Sequence, residues 1–344
     1  MRLASFYHDG AHRIGSVIED GRLIDLTAAV AAKQGGSAPD DWPRDMIELI
    51  ESGPRGVERA REALEWALAN PKRVRAIPAD AVTWDPPVRR PSKICCLALN
   101  NSANADRIMS GPKHPAIFVK GSNALIGHEH AIIVKKHYGR VHPEPELAVV
   151  IGRTAKSIEA RNALDYVFGY TIHNDITSPT MRGEDTFHYR AIHPAADGSN
   201  DVRYVDTYTT YQGRYKGSDT FSPLGPWIVT RDDIHDPHAL AVICRHKGEI
   251  VTEDNTENLF HHVPEVLAFV SDYMTLFPGD VVSMGTALKR TGGSKAVQNV
   301  DLQQLGGPVS VTIEKIGTLS NTVQHADNAQ GASNATGGSA SSQA

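Results

Sequence analysis

Three acidic residues near the middle of the chain have the types and spacing of a metal site. Glu144 and Glu146 stand just before an unbroken apolar run, and Asp175 closes a second apolar run. Residues two apart in a β-strand face the same way, so the two glutamates can project together. Pro143 and Pro145 cannot donate hydrogen bonds to a neighbouring strand, which predicts that the pair lies at the entrance or edge of a strand.

This set of carboxylates favours a hard cation. Enough residues separate Glu146 from Asp175 for an intervening helix and a second strand that returns alongside the first. Carboxylate oxygens without cysteine favour Mg²⁺ or Mn²⁺, with Ca²⁺ also open, and leave positions for water and substrate oxygens. The alternative is that the glutamates are solvated loop residues and Asp175 forms a turn, since Glu-x-Glu is a common string. From spacing alone both interpretations stay open.

The secondary structure predicted around these residues indicates a mixed α+β chain with more strand than helix. Residues 147–151 contain no polar side chain, which predicts a strand covered on both faces. Residues 168–172 are predicted to form the next strand, and 157–166 between them to form a helix. Residues 177–210 are long and polar, which predicts an irregular loop of the kind that serves as a lid or binding segment.

The rest of the chain predicts a small α+β domain followed by a larger, mostly β domain. Strands at 14–18 and 22–26 flank an Asp-Gly turn, and 42–69 has helical periodicity interrupted at Ser52-Gly53-Pro54. An amphipathic helix is predicted at 263–273, with Pro264 near its start. The proline-rich segment 85–91 predicts a boundary, so we expect domains at 1–88 and 89–324, and a disordered polar tail at 325–344.

Composition narrows the class of protein. The chain has 344 residues, 40% hydrophobic and 22% charged, with a net charge of −5, so no basic field indicates nucleic acid or an anionic membrane as partner. Its three cysteines form no Cys-x-x-Cys pair, which favours a reducing compartment. No run reaches the ~18 apolar residues of a membrane span, and the first residues lack the apolar core of a signal peptide. We expect a cytoplasmic protein with a small-molecule substrate.

Several motifs between residues 93 and 323 resemble the fumarylacetoacetate hydrolase family. They are E-x-E-L-A-V-V-I-G (144–152), D-Y-V-F-G-Y-T (165–171), N-D (174–175), K-G-S-D-T-F-S-P-L-G-P-W-I-V-T (216–230), D-N-T (254–256), L-F-P-G-D-V-V-S-M-G-T (276–286) and I-G-T-L-S-N (316–321). The resemblance implies a mixed β-roll domain, a homodimer, one divalent cation (Mg²⁺ or Mn²⁺) and a 2-oxo acid substrate. The family's metal ligands fall on Glu144, Glu146 and Asp175.

The resemblance also implies substrate-binding residues. Lys216, followed by Gly217, matches the family's substrate lysine and is expected to hold a carboxylate or oxyanion. Thr286, at the end of a predicted strand, matches the threonine that contacts the substrate carboxylate. The alternatives are a solvated loop lysine and a satisfied strand-end hydroxyl.

The chain departs from the family where the water-activating residues are expected. Hydrolytic members carry G-x-N-Y-x-x-H-x-x-E after the first strand of the domain, and their His–Glu pair activates water. Here Asn101, Asn104 and Arg107 replace the tyrosine, histidine and glutamate. Asn104 therefore occupies the catalytic position, but its amide cannot take a proton from water at neutral pH.

The segment 177–210 offers replacements for the missing group. A lid that carries His188 and Arg190 could close over the metal, with His188 as acid or base and Arg190 on the substrate. The alternative is that both are surface residues.

These observations predict a metal-dependent enzyme that hydrolyses a C–C bond of an acylpyruvate-like diketo acid, in aromatic or amino-acid catabolism. Chelation by a 2-oxo carboxylate polarises the carbonyl and stabilises an enolate, a step shared with isomerisation and decarboxylation. An isomerase or decarboxylase of a 2-oxo or 2-hydroxymuconate-type diacid is therefore the first alternative. A non-catalytic protein that binds metal or ligand is the second.

Overall fold

The computed structural model describes residues 1–101, 113–288 and 296–326, and its mixed α+β, strand-rich architecture confirms the predicted fold class. The α-helices are α1 (Leu26–Gln34), α2 (Met46–Glu51), α3 (Gly53–Ala69), α4 (Pro179–Glu184), α5 (Gly213–Gly217), α6 (Val263–Tyr273) and α7 (Leu302–Leu305). The strands are β1 (Arg2–His8), β2 (Ala11–Val17), β3 (Leu23–Asp25), β4 (Thr83–Trp84), β5 (Ile94–Ala98), β6 (Ala116–Lys120), β7 (Leu125–Ile126), β8 (Ala131–Val134), β9 (Pro145–Ile151), β10 (Val167–Asn174), β11 (Thr186–Pro194), β12 (Val202–Thr210), β13 (Ser222–Thr230), β14 (Ala241–His246), β15 (Glu249–Asn255), β16 (Val281–Ser283), β17 (Val309–Ile313) and β18 (Gly317–His325).

In the part of the chain that the structure describes, these strands form three sheets. The largest has the order β3-β2-β1-β13-β10-β9-β16-β5-β6, with β4 on β1 and β7 on β13. A second sheet has the order β15-β14-β17-β18-β8, and β11 and β12 form a separate two-stranded hairpin.

Strands β9 and β10 form the centre of the largest sheet. Every residue of both strands is buried, which confirms that 147–151 is covered on both faces. They pair antiparallel, and β16 pairs antiparallel with the other edge of β9. The segment predicted as a helix at 157–166 is instead a short 3₁₀ segment, Ala160–Tyr166, that packs near α6.

The N-terminal residues join the same large sheet. β1 pairs antiparallel with β13, and a hydrophobic cluster built largely from residues before 89 also contains Val150, Phe168 and Ile228. The strands around the Asp-Gly turn and the two helices separated at Ser52 are confirmed. Helix α1, capped by Asp25 at its start, was not predicted. The proposed boundary at residue 88 stays a prediction.

The segment 177–210 is regular, so the expectation of an irregular loop is wrong. α4 is followed by the hairpin of β11 and β12, in register from Thr186 opposite Thr210 to Pro194 opposite Val202. The hairpin forms because threonine, tyrosine, valine and isoleucine, which favour extended backbone, recur along both strands.

Two expectations fall partly or wholly outside the described residues. Asn104 lies outside them, and of the predicted tail only the start is described, where His325 ends β18. Within the described ranges, no helix combines the length and apolar character needed to cross a membrane.

The partly buried histidine His128 predicts that the stability of the fold decreases in acid. Its Nδ1 accepts a hydrogen bond from the Ser320 amide at 3.0 Å. Burial, with a smaller effect of nearby His130, lowers the pKa of His128 to about 4. Protonation is therefore easier in the unfolded chain, where the pKa is near 6.5, and folding stability should fall as the pH drops from about 6.5 towards about 4.

We expect His128→Asn to flatten this part of the stability curve, by at most about 3 kcal/mol at the acid end. Urea unfolding between pH 4 and 7 measures the effect, with exposed His137→Asn as the matched control. An unchanged slope in His128→Asn would contradict the assignment.

Candidate functional site

The register of β9 and β10 brings the predicted acidic residues together. Glu146 lies opposite His173, and one step beyond each strand the Asp175 amide donates to the Glu144 carbonyl at 2.8 Å. Residues that face each other across antiparallel strands share one face of the sheet, and so do residues two apart. Glu144, Glu146, His173 and Asp175 are therefore positioned on one face, at the end of the central strand pair.

The three carboxylates form a compact, largely buried cluster. Each offers an oxygen, and these oxygens all lie within 4.8 Å of one another. Glu146 and Asp175 are each 1% exposed, whereas Glu144 is partly open to solvent. Three like charges so close together require positive charge nearby.

Two buried lysines provide that charge. Lys120, at the end of β6, places Nζ 2.5 Å from Asp175 Oδ1 and 2.6 Å from the Phe221 carbonyl. Lys216, in α5, places Nζ 2.5 Å from Glu144 Oε2 and also contacts Asp175. Both lysines are less than a tenth exposed, so their positive charges act at short range with little screening by water.

Burial opposes every charge in the cluster, and the neighbours decide which groups stay ionised. Against burial, the ammonium groups of Lys120 and Lys216 hold the pKa of Asp175 below its usual value, and Lys216 does the same for Glu144. Burial likewise works against the Lys216 charge, but Asp175 and Glu144 outweigh it and raise the pKa of that ammonium. Glu146 is different, because burial and then Asp175 raise its pKa to about 8.

The donor set fits a hard divalent cation. It presents carboxylate oxygens alone, which are the protein ligands that Mg²⁺ and Mn²⁺ prefer. Glu146 forms no ion pair with either lysine among the described contacts, so a cation would supply the positive partner that this carboxyl lacks. Glu144, Glu146 and Asp175 could therefore hold such an ion.

Hydrogen-bond donors already orient Glu146. Its Oε2 accepts from Ser283 Oγ at 2.5 Å and from the Gly285 amide at 3.1 Å. Its Oε1 accepts from Thr286 Oγ1 at 3.1 Å. Thr286 thus lies beside the cluster, and its predicted contact with a substrate carboxylate stays a prediction.

The other predicted site residues divide into two groups. Lys216 is in the cluster, and Gly217 follows it, with its carbonyl accepting from Asn123 Nδ2 at 3.0 Å. His188 and Arg190 lie on the exposed hairpin, where neither forms a hydrogen bond or ion pair with the carboxylates. Their catalytic and substrate roles stay predictions, and Asn104 lies outside the described residues.

Several side chains that contact the cluster were not predicted from the sequence as part of the site. Lys120 was noticeable only as a lysine at the end of a predicted strand. His142, whose Nε2 lies 3.1 Å from Glu144 Oε1, carried a signal, because it precedes Glu144 by two residues. Ser283 carried none, since it reaches Glu146 through the pairing of β16 with β9.

A small cavity with a mostly apolar lining adjoins Thr286. Its lining includes Asn101, Asp254 and Asn258. The Asn101 side chain is buried, and its Oδ1 has no hydrogen-bond partner among the described residues.

The chain is similar in sequence to proteins of one family. Residues 93–324 match the profile described as the C-terminal region of fumarylacetoacetate (FAA) hydrolase. The chain is 32% identical over 282 residues to the mitochondrial oxaloacetate tautomerase Fahd2a of Rattus norvegicus, which covers 82% of this chain and 80% of that protein.

Solved structures show the same similarity in fold, which confirms the predicted β-roll class. Maleylpyruvate hydrolase from Sphingobium sp. SYK-6, in complex with manganese(II) and pyruvate, is 30% identical, with a TM-score of 0.67 over 94% of this chain and 99% of that one. The 5-carboxymethyl-2-hydroxymuconate delta-isomerase from Mycobacterium smegmatis is 27% identical, with a TM-score of 0.62 over 94% of this chain and 99% of that one.

The charge balance of the cluster predicts a strong dependence on Lys120. We expect Lys120→Met to lower the free energy of unfolding by about 3–5 kcal/mol, because it leaves a buried carboxylate without one of its partners. Chemical denaturation in the presence of a metal chelator measures this loss. Lys136→Met, at an exposed lysine, is the matched control. A loss below about 1 kcal/mol would show that Asp175 does not depend on Lys120.

Proposed function

The chain belongs to the fumarylacetoacetate hydrolase family, and from that premise we propose that it is a divalent-metal-dependent enzyme acting on 2-oxo acids. The observation that carries the proposal is the buried cluster of Glu144, Glu146 and Asp175, with an ammonium group on each side of Asp175. An Mg²⁺ or Mn²⁺ ion held by these carboxylates would polarise the oxo group of a chelating 2-oxo acid and acidify the adjacent C–H bond.

The two lysines have different tasks in this proposal. Lys120 is 1% exposed and balances the charge of Asp175 from inside the protein. Lys216 is less deeply buried, and its pKa is raised, so it stays an ammonium group. A fixed positive charge at this position attracts the substrate carboxylate and donates hydrogen bonds to an oxygen that gains negative charge.

We propose that the reaction is proton transfer between carbon and oxygen of the 2-oxo acid, which is tautomerisation or isomerisation. Hydrolysis needs a base that takes a proton from water, whereas the C–H proton that the metal would acidify can pass to solvent water. Among the described residues both histidines beside the cluster are engaged, since His142 contacts Glu144 and His173 lies between two serines. Asn104, at the expected position of the base, cannot accept the proton. The similarity to an oxaloacetate tautomerase and a delta-isomerase supports the same reaction class.

Hydrolysis of a C–C bond is the second candidate. It is favoured by the similarity to a maleylpyruvate hydrolase that holds manganese and pyruvate. In that reaction water adds to the distal carbonyl of an acylpyruvate, and the products are pyruvate and a carboxylic acid.

The cavity beside Thr286 supports a substrate with a second oxygen-bearing group. Asn101 and Asn258 are among the residues that line this cavity, and Asn101 Oδ1 is free of protein partners in the described part of the chain. The N–H groups of asparagine amides can donate to a second carbonyl or carboxyl oxygen, and Asn101 Oδ1 can accept a hydrogen bond from an enol hydroxyl. We therefore propose a dioxo acid or an oxo diacid as substrate.

A panel of 2-oxo acids tests the reaction. We expect the protein with Mg²⁺ to accelerate exchange of the C3 protons of oxaloacetate for deuterium in D₂O, without cleavage, as followed by NMR. Glu146→Gln should slow the exchange by more than about 100-fold, since groups that only support a metal ligand cost 10–100-fold. Glu129→Gln, at an exposed glutamate, is the matched control.

Other products would reject this proposal. Pyruvate and a carboxylic acid from acylpyruvates indicate hydrolysis, and pyruvate with CO₂ from oxaloacetate indicates decarboxylation. Metal binding without turnover of any substrate indicates a non-catalytic binding protein.

We also propose that the chain forms the homodimer expected from the family, and that the hairpin of β11 and β12 contributes to the interface. None of the residues in its two nine-residue strands is buried. An isolated two-stranded hairpin is marginally stable in water, so a covering surface would stabilise it.

The composition of the hairpin supports a second copy of the chain as the covering surface. Large apolar side chains on it and beside it are between 45% and 70% exposed: Phe187, Tyr189, Ile192, Val202, Tyr204, Tyr208 and Tyr211. Ile192, Val202, Tyr204 and Tyr208 share one face of the hairpin and expose roughly 500 Å² there, more than half of what each partner of a standard interface buries. Arg190 and Asp206 face each other in the middle, so a two-fold arrangement could pair each with the opposite charge of the second copy.

Oligomeric state tests the proposed interface. We expect wild type to be a dimer, and Tyr204→Asp and Ile192→Asp to be monomers, by size-exclusion chromatography with light scattering, because a buried unpaired charge opposes association. Leu68→Asp, at an exposed leucine of α3, is the control and should remain a dimer. A monomeric wild type, or dimeric hairpin variants, would reject this interface.

The cysteines support the predicted compartment. Cys95, Cys96 and Cys244 are all buried and unpaired. Free buried thiols are typical of a reducing environment, so the cytoplasm stays our expected location.

A further inference from the structure

A chain of hydrogen bonds leads to Glu146 from the far side of His173. Ser222 Oγ lies 3.0 Å from His173 Nε2, and His173 Nδ1 lies 2.7 Å from Ser283 Oγ. Ser283 Oγ then donates to Glu146 Oε2 at 2.5 Å. All four side chains are at most 1% exposed, so water does not compete for these bonds.

The direction of the chain follows from the donors available. As a metal ligand Glu146 is deprotonated and can only accept hydrogen bonds. The single hydroxyl hydrogen of Ser283 therefore points at Glu146, and Ser283 Oγ must accept from His173. The hydrogen in that bond is on His173 Nδ1, whatever the ring carries at Nε2.

The other end of the chain completes this assignment. In a neutral imidazole with hydrogen on Nδ1, Nε2 is an acceptor, and the Ser222 hydroxyl supplies the matching donor. Every donor in the chain then points towards Glu146.

We propose that His173 is a positioning residue of the metal centre, which holds Glu146 in its ligating orientation by fixing the hydroxyl of Ser283. The inference rests on the proposed metal-dependent function. His173 forms no hydrogen bond with any of the three carboxylates in the described structure, so its effect passes through Ser283. Groups that orient a ligand in this way typically change metal affinity 10–100-fold when removed.

Two amide substitutions separate this role from packing. Asn places its side-chain N–H near the position of Nδ1, so His173→Asn keeps a donor for Ser283. Gln places its amide near the position of Nε2, so His173→Gln keeps contact with Ser222 but loses the donor for Ser283. A histidine that only fills space would be replaced about equally well or badly by either amide.

Binding of Mn²⁺, measured from the EPR signal of the free ion, tests the proposal without depending on turnover. We expect His173→Gln to raise the dissociation constant 10–100-fold and His173→Asn to stay within about threefold of wild type. Ser222→Ala removes a hydroxyl at the far end of the chain, so it should lower thermal stability but leave the dissociation constant within about threefold of wild type.

The outcomes distinguish failure of the proposed role of His173 from failure of the proposed metal-dependent function. If wild type binds no Mn²⁺, the metal-dependent function fails, and the role of His173 fails with it. If wild type binds Mn²⁺ and His173→Gln binds it equally well, only the role of His173 is overturned. Equal weakening in His173→Gln and Ser222→Ala would overturn the direction assigned to the chain. If His173→Gln does not fold, a weakened His173→Asn that does fold would also reject the proposal.

Discussion

The strongest constraint in this molecule is the confinement of three carboxylates in a buried cluster. At an effective dielectric constant near 20, two unit charges about 4 Å apart interact by roughly 4 kcal/mol, so several such repulsions would outweigh the stability of an ordinary domain. The chain meets this constraint with two lysines on Glu144 and Asp175 and with neutral donors on Glu146. The uneven compensation leaves Glu146 as the carboxyl that gains most from a cation.

The scaffold explains why this arrangement is rigid. The two strands that carry the carboxylates are buried along their whole length and hydrogen-bonded on both edges. The compensating groups come from β6, α5 and β16, so the cluster forms where these three elements meet the ends of β9 and β10. A shift of any of these elements would separate charges from their partners, which couples the geometry of the site to the integrity of the sheet.

The groups around the cluster are suited to stabilising charge rather than to transferring protons. Lysines, hydroxyls and a backbone amide surround the carboxylates, while His142 and His173 are committed to holding other side chains. A site of this kind suits chemistry in which negative charge develops on a substrate oxygen. The hairpin lies outside this network, and its exposed aromatic surface is better suited to protein contact than to proton transfer within the cluster.

Much of the local structure and part of the site could be predicted from the sequence. The apolar run of β9, the periodicity of α6 and the alternation of Glu144 with Glu146 depend on residues close together in the chain. The strand and the helix are confirmed, and the two glutamates lie together in the carboxylate cluster. The hairpin was misjudged because polar and charged residues are interspersed among its apolar ones and obscure the alternation that marks a half-buried strand. The neighbours of the cluster could not be predicted, because Lys120 and Ser283 reach it across 55 and 137 residues. Local patterns express the conformational preferences of the backbone, but charge compensation and hydrogen-bond direction depend on which distant strands become neighbours.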